Sequence, residues 1–184
     1  MTGEVPGAAA AVALLQGLSL TVATAESLTG GLVCAALTSV PGSSVVVRGG
    51  VVAYGVPVKH DLLGVDADLL DREGAVHPEV CEAMARGAGR LLHADVGLAT
   101  TGVAGPEPHG GKDPGTVYIA VALTADTDGG QGPATVRRLH IDGDRDEVRR
   151  ATVSAVLSLL TGLLSGATEH ATARPEPPPP LLPT

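Results

Sequence analysis

Short Val-, Ala- and Thr-rich runs alternate with segments of helical periodicity along most of the chain, and this alternation restricts the fold more than any other feature. A helix is expected from about Gly7 to Gly17, followed by a β-rich run from Ser19 to Thr24. Gly31 to Val40 reads as a helix stopped by Pro41-Gly42, and Ser44 to Tyr54 as a Val-rich strand interrupted at Gly49-Gly50. Pro57–Leu63 and Ala67–Glu73 read as short helices, the first ended by Gly64. Pro78 to His93 is a longer one, with Pro78 at its first position and Val80, Met84, Ala88, Leu91 and Leu92 at helical spacing. Asp95–Thr101 is a strand running into the loop Gly102–Gly115. Strands Thr116–Leu123 and Ala134–Ile141 flank the turn-rich Asp126–Gly130, and a last helix spans about Asp144 to Leu164 with Asp144 as N-cap. Strands alternating with helices, then a strand pair, predict an α/β fold. The expectation is a single-domain three-layer α/β/α sandwich with a mixed central sheet.

A length of 184 residues suits one domain, placed at 7–165 after a loose start at 1–6. Residues 166–184 carry four consecutive prolines and read as a disordered or polyproline tail, inert or a ligand for a partner. Tyr54 and Tyr118 are the only aromatic residues among Phe, Trp and Tyr, so the core must be Val, Leu and Ala. Base stacking loses its usual side chains, and a net charge of −8 repels a polyanion; no nucleic-acid partner is expected. Cys34 and Cys81 form no CxxC and read as buried free thiols in a reducing compartment. The N-terminus lacks the basic residues of a signal peptide, and the run Ala8–Leu20 is too short to span a bilayer. A cytoplasmic location without membrane contact is expected. Ten arginines stand against two lysines, Lys59 and Lys112, and in such a chain a lysine is favoured where a proton must leave.

Four segments offer chemistry. Ala25-Glu26-Ser27-Leu28-Thr29-Gly30-Gly31 is a polar turn between a buried strand and a helix. Ser27 or Thr29 would cap that helix, and Gly30 and Gly31 would let a ligand or an oxyanion approach free N–H groups. The nucleophile-elbow pattern fails, because Ala25 and Thr29 occupy its glycine positions; Ser27 as a nucleophile needs another base. Lys59 is a candidate for that base if burial lowers its pKa, with the Tyr54 hydroxyl relaying a proton or orienting the serine. The third segment, Thr100-Thr101-Gly102-Val103-Ala104-Gly105-Pro106, continues through His109 and Lys112 to Gly115-Thr116. A strand ending in a Gly-rich loop is a usual ligand position in an open α/β sheet, and this one is no P-loop. In the fourth, Arg145 opens the last helix within reach of a phosphate. Each has a plainer reading: a helix cap, a solvated lysine, a turn, a charged first turn. His77-Pro78-Glu79 lacks the Pro-Cys-x-x-Cys of zinc deaminases, and the other histidines show no ligand spacing, so neither metal nor cofactor is expected.

In order, Thr24-Ala-Glu-Ser-Leu-Thr-Gly-Gly31, Gly50-Val-Val-Ala-Tyr54 with Lys59, Leu63-Gly-Val65, Gly74-Ala-Val76 with Glu79-Val80, Thr101-Gly-Val-Ala-Gly-Pro106, Pro114-Gly-Thr-Val-Tyr118, and Gly143-Asp-Arg145 with Val148-Arg149 resemble one family. It is the C-terminal domain of competence-damage-inducible protein CinA, which also occurs alone as nicotinamide mononucleotide deamidase. The resemblance covers roughly residues 8 to 164. It implies hydrolysis of the carboxamide of nicotinamide mononucleotide to nicotinate mononucleotide and ammonia. It implies Ser27 as nucleophile, with Lys59 and Tyr54 as base and relay. Thr29, Gly30, Gly31, Thr101, Gly102, Ala104, Gly105, Thr116 and Arg145 are the expected substrate contacts, without dividing oxyanion from phosphate between the two Gly-rich loops. The partners expected are a small nucleotide substrate and further copies of the chain in a homo-oligomer. Leu28 replaces a usual cysteine and Val56 a usual asparagine, and Glu107 to Asp113 also departs from the family pattern. The molybdopterin-binding-like domain of CinA, with any pyrophosphatase activity, is expected to be absent. The rival readings are a non-catalytic nucleotide-binding or regulatory module and a partner-binding protein acting through its tail.

Overall fold

The computed structural model describes residues 5–124 and 131–172; the Asp126–Gly130 turn, and the part of the Pro-rich tail beyond residue 172, lie outside them. Helix α1 (Ala8–Gly17) precedes β1 (Val22–Glu26), and α2 (Leu32–Thr38) leads through a 3-10 turn at Ser43–Val45 into β2 (Val47–Val52). Then come α3 (Val56–Asp61), α4 (Ala67–Glu73), α5 (Pro78–Leu91), β3 (Val96–Gly102), β4 (Thr116–Leu123), β5 (Ala134–His140) and α6 (Arg145–Thr172). The alternation read from the sequence is therefore real, and three boundaries shift. The first strand begins only at Val22, because Ser19 takes a left-handed conformation (φ 56°) that turns the chain before extended structure begins, and it runs on to Glu26. Ser44 and Val45 belong to the 3-10 turn that brings β2 alongside β1. Helix α6 runs on to Thr172, so 166–172 are helical rather than part of a tail. Its N-terminus is capped as expected: Asp144 Oδ1 accepts from the N–H groups of Asp146 and Glu147, while Glu147 Oε2 accepts from Asp144 N.

The five strands form one mixed sheet in the order β2-β1-β3-β4-β5. Strands β2, β1 and β3 are parallel, and β4 and β5 are added antiparallel. The chain leaves β1 toward β2 on one side and returns to β3 on the other, so the crevice where the winding reverses opens beyond the C-terminal ends of β1 and β3.

The two faces of the sheet differ in side-chain size. Val22, Val96, Leu98, Val117, Ile119 and Val121 pack in one cluster with residues of α1, α2 and α6. This explains why Arg145–Gly166, with a mean hydropathy of 1.2, is long and apolar enough to cross a membrane: Val148, Val153, Val156, Leu157, Leu160 and Leu164 are buried in the core. The other face presents mostly Ala23, Ala25, Ala99, Ala120 and Ala122 to α4 and α5. With so little side chain between them, α5 comes down almost onto the backbone of the sheet. A Cβ at Gly97 would lie 1.9 Å from the Ala85 carbonyl oxygen. We expect Gly97→Ala to destabilise the protein by about 1–3 kcal/mol, read as a lower urea midpoint at unchanged m. An unchanged midpoint would mean that the α5 layer retreats freely.

Candidate active site

The loops that follow β1, β2 and β3 meet at the crevice and enclose a cavity of about 530 Å³, with Ser27, Tyr54, Lys59, Val103, His109 and Arg145 among its lining residues. Ser27 is the first residue after β1, its N–H donating to the Thr100 carbonyl at 2.9 Å, so the serine is pinned to β3 as well. Lys59 lies on α3, the short helix set after β2 by Gly55, Val56 and Pro57, with Pro57 in its first turn.

Lys59 is fully buried. Its Nζ stands 3.0 Å from Ser27 Oγ and donates to the carbonyl oxygens of Ala53 and Tyr54. Among the described residues no carboxylate pairs with it. Burial without a counter-charge disfavours the ammonium and lowers its pKa from 10.5 to about 8. Three oxygens surround Nζ, so the ammonium can donate to all of them; once neutral, the amine can keep two N–H donors on the carbonyls and offer its lone pair to the serine hydroxyl.

The turn after Ser27 is organised by a residue to which the sequence reading gave no role. Glu26 is 1% exposed, and both its carboxylate oxygens point into the start of α2. Oε2 accepts from Gly31 N, Val33 N and the Thr29 hydroxyl at 2.8–3.0 Å; Oε1 accepts from Cys34 N at 2.8 Å and the Thr24 hydroxyl at 3.2 Å. The signal for this was available in the order strand, Glu, polar turn, helix, since a carboxylate before a helix N-terminus satisfies orphan N–H groups. It corrects three expectations. Neither Ser27 nor Thr29 caps α2. Thr29 is buried, its hydroxyl spent on Glu26 while the Thr100 hydroxyl, 2.7 Å away, donates to it in turn. Gly30 and Gly31 do not line the cavity: the Gly31 N–H belongs to Glu26, and what approaches Gly30 is the Arg149 guanidinium.

In the third segment Gly102, Ala104 and Gly105 line the cavity. Thr101 and Thr116 do not, because they sit in antiparallel partner strands with buried side chains; the Thr101 hydroxyl donates to the Ala75 carbonyl at 2.7 Å. Arg145 is exposed at the mouth, donating to Gly105 O and to the Tyr54 hydroxyl, each at 3.0 Å. The Tyr54 hydroxyl therefore makes no hydrogen bond to Ser27 or Lys59. The chain turns outward after β2, leaving Tyr54 61% exposed, and what it offers Lys59 is its backbone carbonyl. Leu28 packs inward at 4% exposure, whereas Val56 stands at the rim of the cavity. Cys81 is buried as expected and Cys34 only partly so. Among the described residues no three His, Cys, Asp or Glu side chains gather to hold a metal.

The model of the CinA C-terminal domain matches residues 6–164. A CinA-like protein of Frankia casuarinae is 46% identical over 153 residues, covering 83% of this chain and 34% of that protein. A putative competence-damage inducible protein of a Geobacillus species is 41% identical over 158 residues, covering 86% and 36%. The chain thus spans about a third of the length of these curated relatives. Among solved structures, the competence/damage inducible protein CihA of Agrobacterium tumefaciens superposes with a TM-score of 0.80 at 36% identity, covering 89% of this chain and 97% of that one. A CinA superfamily protein of Klebsiella pneumoniae gives 0.82 at 27% identity, covering 90% and 99%.

Proposed function

Because the chain belongs to the CinA C-terminal domain family, we propose that it is an amidohydrolase that converts nicotinamide mononucleotide to nicotinate mononucleotide and ammonia. The observation that carries this reading is the fully buried Lys59, without a counter-charge among the described residues, with its Nζ 3.0 Å from Ser27 Oγ. Lys59 takes the hydroxyl proton as Ser27 Oγ bonds to the carboxamide carbon. The tetrahedral intermediate collapses with cleavage of the C–N bond, and the ammonium of Lys59 returns the proton to the departing nitrogen. Water, deprotonated by the same amine, then attacks the acyl carbon; the ester C–O bond breaks, Lys59 returns the proton to Ser27 Oγ, and nicotinate mononucleotide leaves.

The cavity has the size of a nucleotide site, and Arg145 at its mouth forms no ion pair among the described residues. In a chain of net charge −8 an unneutralised guanidinium beside the cavity favours a phosphate. The test is ammonia release from nicotinamide mononucleotide by the purified chain. Release at the background rate would refute the assignment. Arg145→Ala should raise KM for the mononucleotide about 10- to 100-fold while changing the phosphate-free riboside little, as loss of a charge-assisted contact requires. Equal losses on both substrates would instead make Arg145 a structural brace for Tyr54 and Gly105.

A further inference from the structure

The backbone donors around Ser27 can be followed one at a time. Ser27 N donates to Thr100 O, Gly30 N to Ser27 O, and Leu32 N to Thr29 O. Gly31, Val33 and Cys34 donate to Glu26. The N–H groups of Leu28 and Thr29 have no protein acceptor among the described residues, and of these two residues only Leu28, directly after the serine, lines the cavity. The carbonyls of the same turn have an unusual partner. Arg149, one turn along α6 from Arg145, donates Nε to Leu28 O and Nη2 to Thr29 O, both at 3.0 Å. Like Arg145 it forms no ion pair among the described residues, so its charge falls on these two peptides alone. Gly30 (φ 60°) carries no Cβ, which would lie 3.4 Å from Arg149 Nη2.

We propose that Arg149 is a positioning residue for an oxyanion site at the Leu28 N–H. The connection runs through three successive peptides. The guanidinium holds the carbonyls of Leu28 and Thr29 on the α6 side. That fixes the peptide joining Thr29 to Gly30, whose N–H donates to Ser27 O. With Ser27 O engaged there, the N–H on the other side of its peptide, that of Leu28, is held as a free donor next to the nucleophile. A cation on the carbonyls also polarises the peptides of the turn. Preorganised donors of this kind act on charge that develops only in the transition state. Arg149 therefore touches no reacting atom, and its removal should appear in kcat.

This inference rests on Ser27 being a nucleophile, and the experiment separates the two. In the full chain, Ser27 labelling by a fluorophosphonate, followed by mass spectrometry, is measured beside carboxamide hydrolysis for the unaltered protein, Arg149→Lys and Arg149→Ala. Arg149→Ala should lose roughly 10²–10³-fold in kcat at nearly constant KM, with labelling slowed in parallel. The pH at which the rate levels off should not move, because Lys59 is untouched. Arg149→Lys, which reaches one carbonyl but not both, should fall between, and added guanidinium ion should restore part of the Arg149→Ala rate. A folded Arg149→Ala variant with unchanged kcat and labelling would overturn the proposal, as would a loss confined to KM. If Arg149→Ala does not fold, an Arg149→Lys variant equal to the unaltered chain in both readouts overturns it just as well. Failure of the unaltered protein to label or hydrolyse would instead refute the serine mechanism, and this inference with it.

Discussion

Lys59→Arg is expected to lose turnover as completely as Ser27→Ala, by at least roughly 10³-fold in kcat. The two fail for different reasons. Alanine removes the oxygen that attacks. Arginine keeps the positive charge but remains protonated at every accessible pH, so it cannot accept the serine proton. A surface lysine or a phosphate clamp would tolerate the exchange, and an active Lys59→Arg variant would remove Lys59 from the reaction. The pH dependence follows from the same group. Since burial brings its pKa down to about 8, kcat/KM should climb with pH toward that value and then level off.

Stability carries the matching signature. Between about 8 and 10.5 the unfolded lysine holds a proton that the folded one has released. The unfolded state then binds more protons, so stability rises with pH across that window. Below it both forms are protonated, and the full cost of a buried ammonium weighs on the fold. The unaltered protein should therefore gain on Lys59→Met as pH increases, by up to about 1.4 kcal/mol per pH unit. Parallel stability curves for the two proteins through that range would show that Lys59 titrates normally.

Glu26→Gln should cost about 3–5 kcal/mol, a large share of the roughly 5–15 kcal/mol that separates folded from unfolded domains. Five hydrogen bonds converge on the carboxylate, three of them from backbone N–H groups that open α2. An amide replaces one acceptor oxygen with two N–H donors aimed at other donors. Whichever way it is turned, backbone groups in a 1% exposed site lose their partner. Equilibrium urea unfolding reads the loss directly. A change below about 1 kcal/mol would mean that α2 needs no acceptor from Glu26, contrary to the way this turn is built.

Local pattern in the chain was enough for much of this. The order of helices and strands, the capping of α6 by Asp144 and the Pro-led starts of α3 and α5 depend on neighbours within a few residues. The pairing of Ser27 with Lys59 was legible only as a suspicion, carried by residue type and by a family resemblance. The side chains stand far apart in sequence, and the parallel pairing of β1 with β2 brings them together. For Glu26 the order strand, Glu, polar turn, helix was legible as an acceptor at the start of α2, but a carboxylate in a polar turn usually faces water, so its burial was not. Nothing nearby in sequence announces that this turn is buried beneath α6.

What the sequence determined by itself was the alternation of elements, the mixed three-layer plan and the small side chains from which the core is made. Tertiary structure decided which polar groups would be left facing the cavity. The carboxylate of Glu26 takes the N–H groups that open α2, antiparallel pairing buries Thr101 and Thr116, and the outward turn after β2 sends Tyr54 to Arg145. Lys59 could have been solvated on any exposed first turn. Its pKa is lowered only because the fold closes over it without a counter-charge, and burial is a property of the packed layers rather than of the residues beside it in the chain.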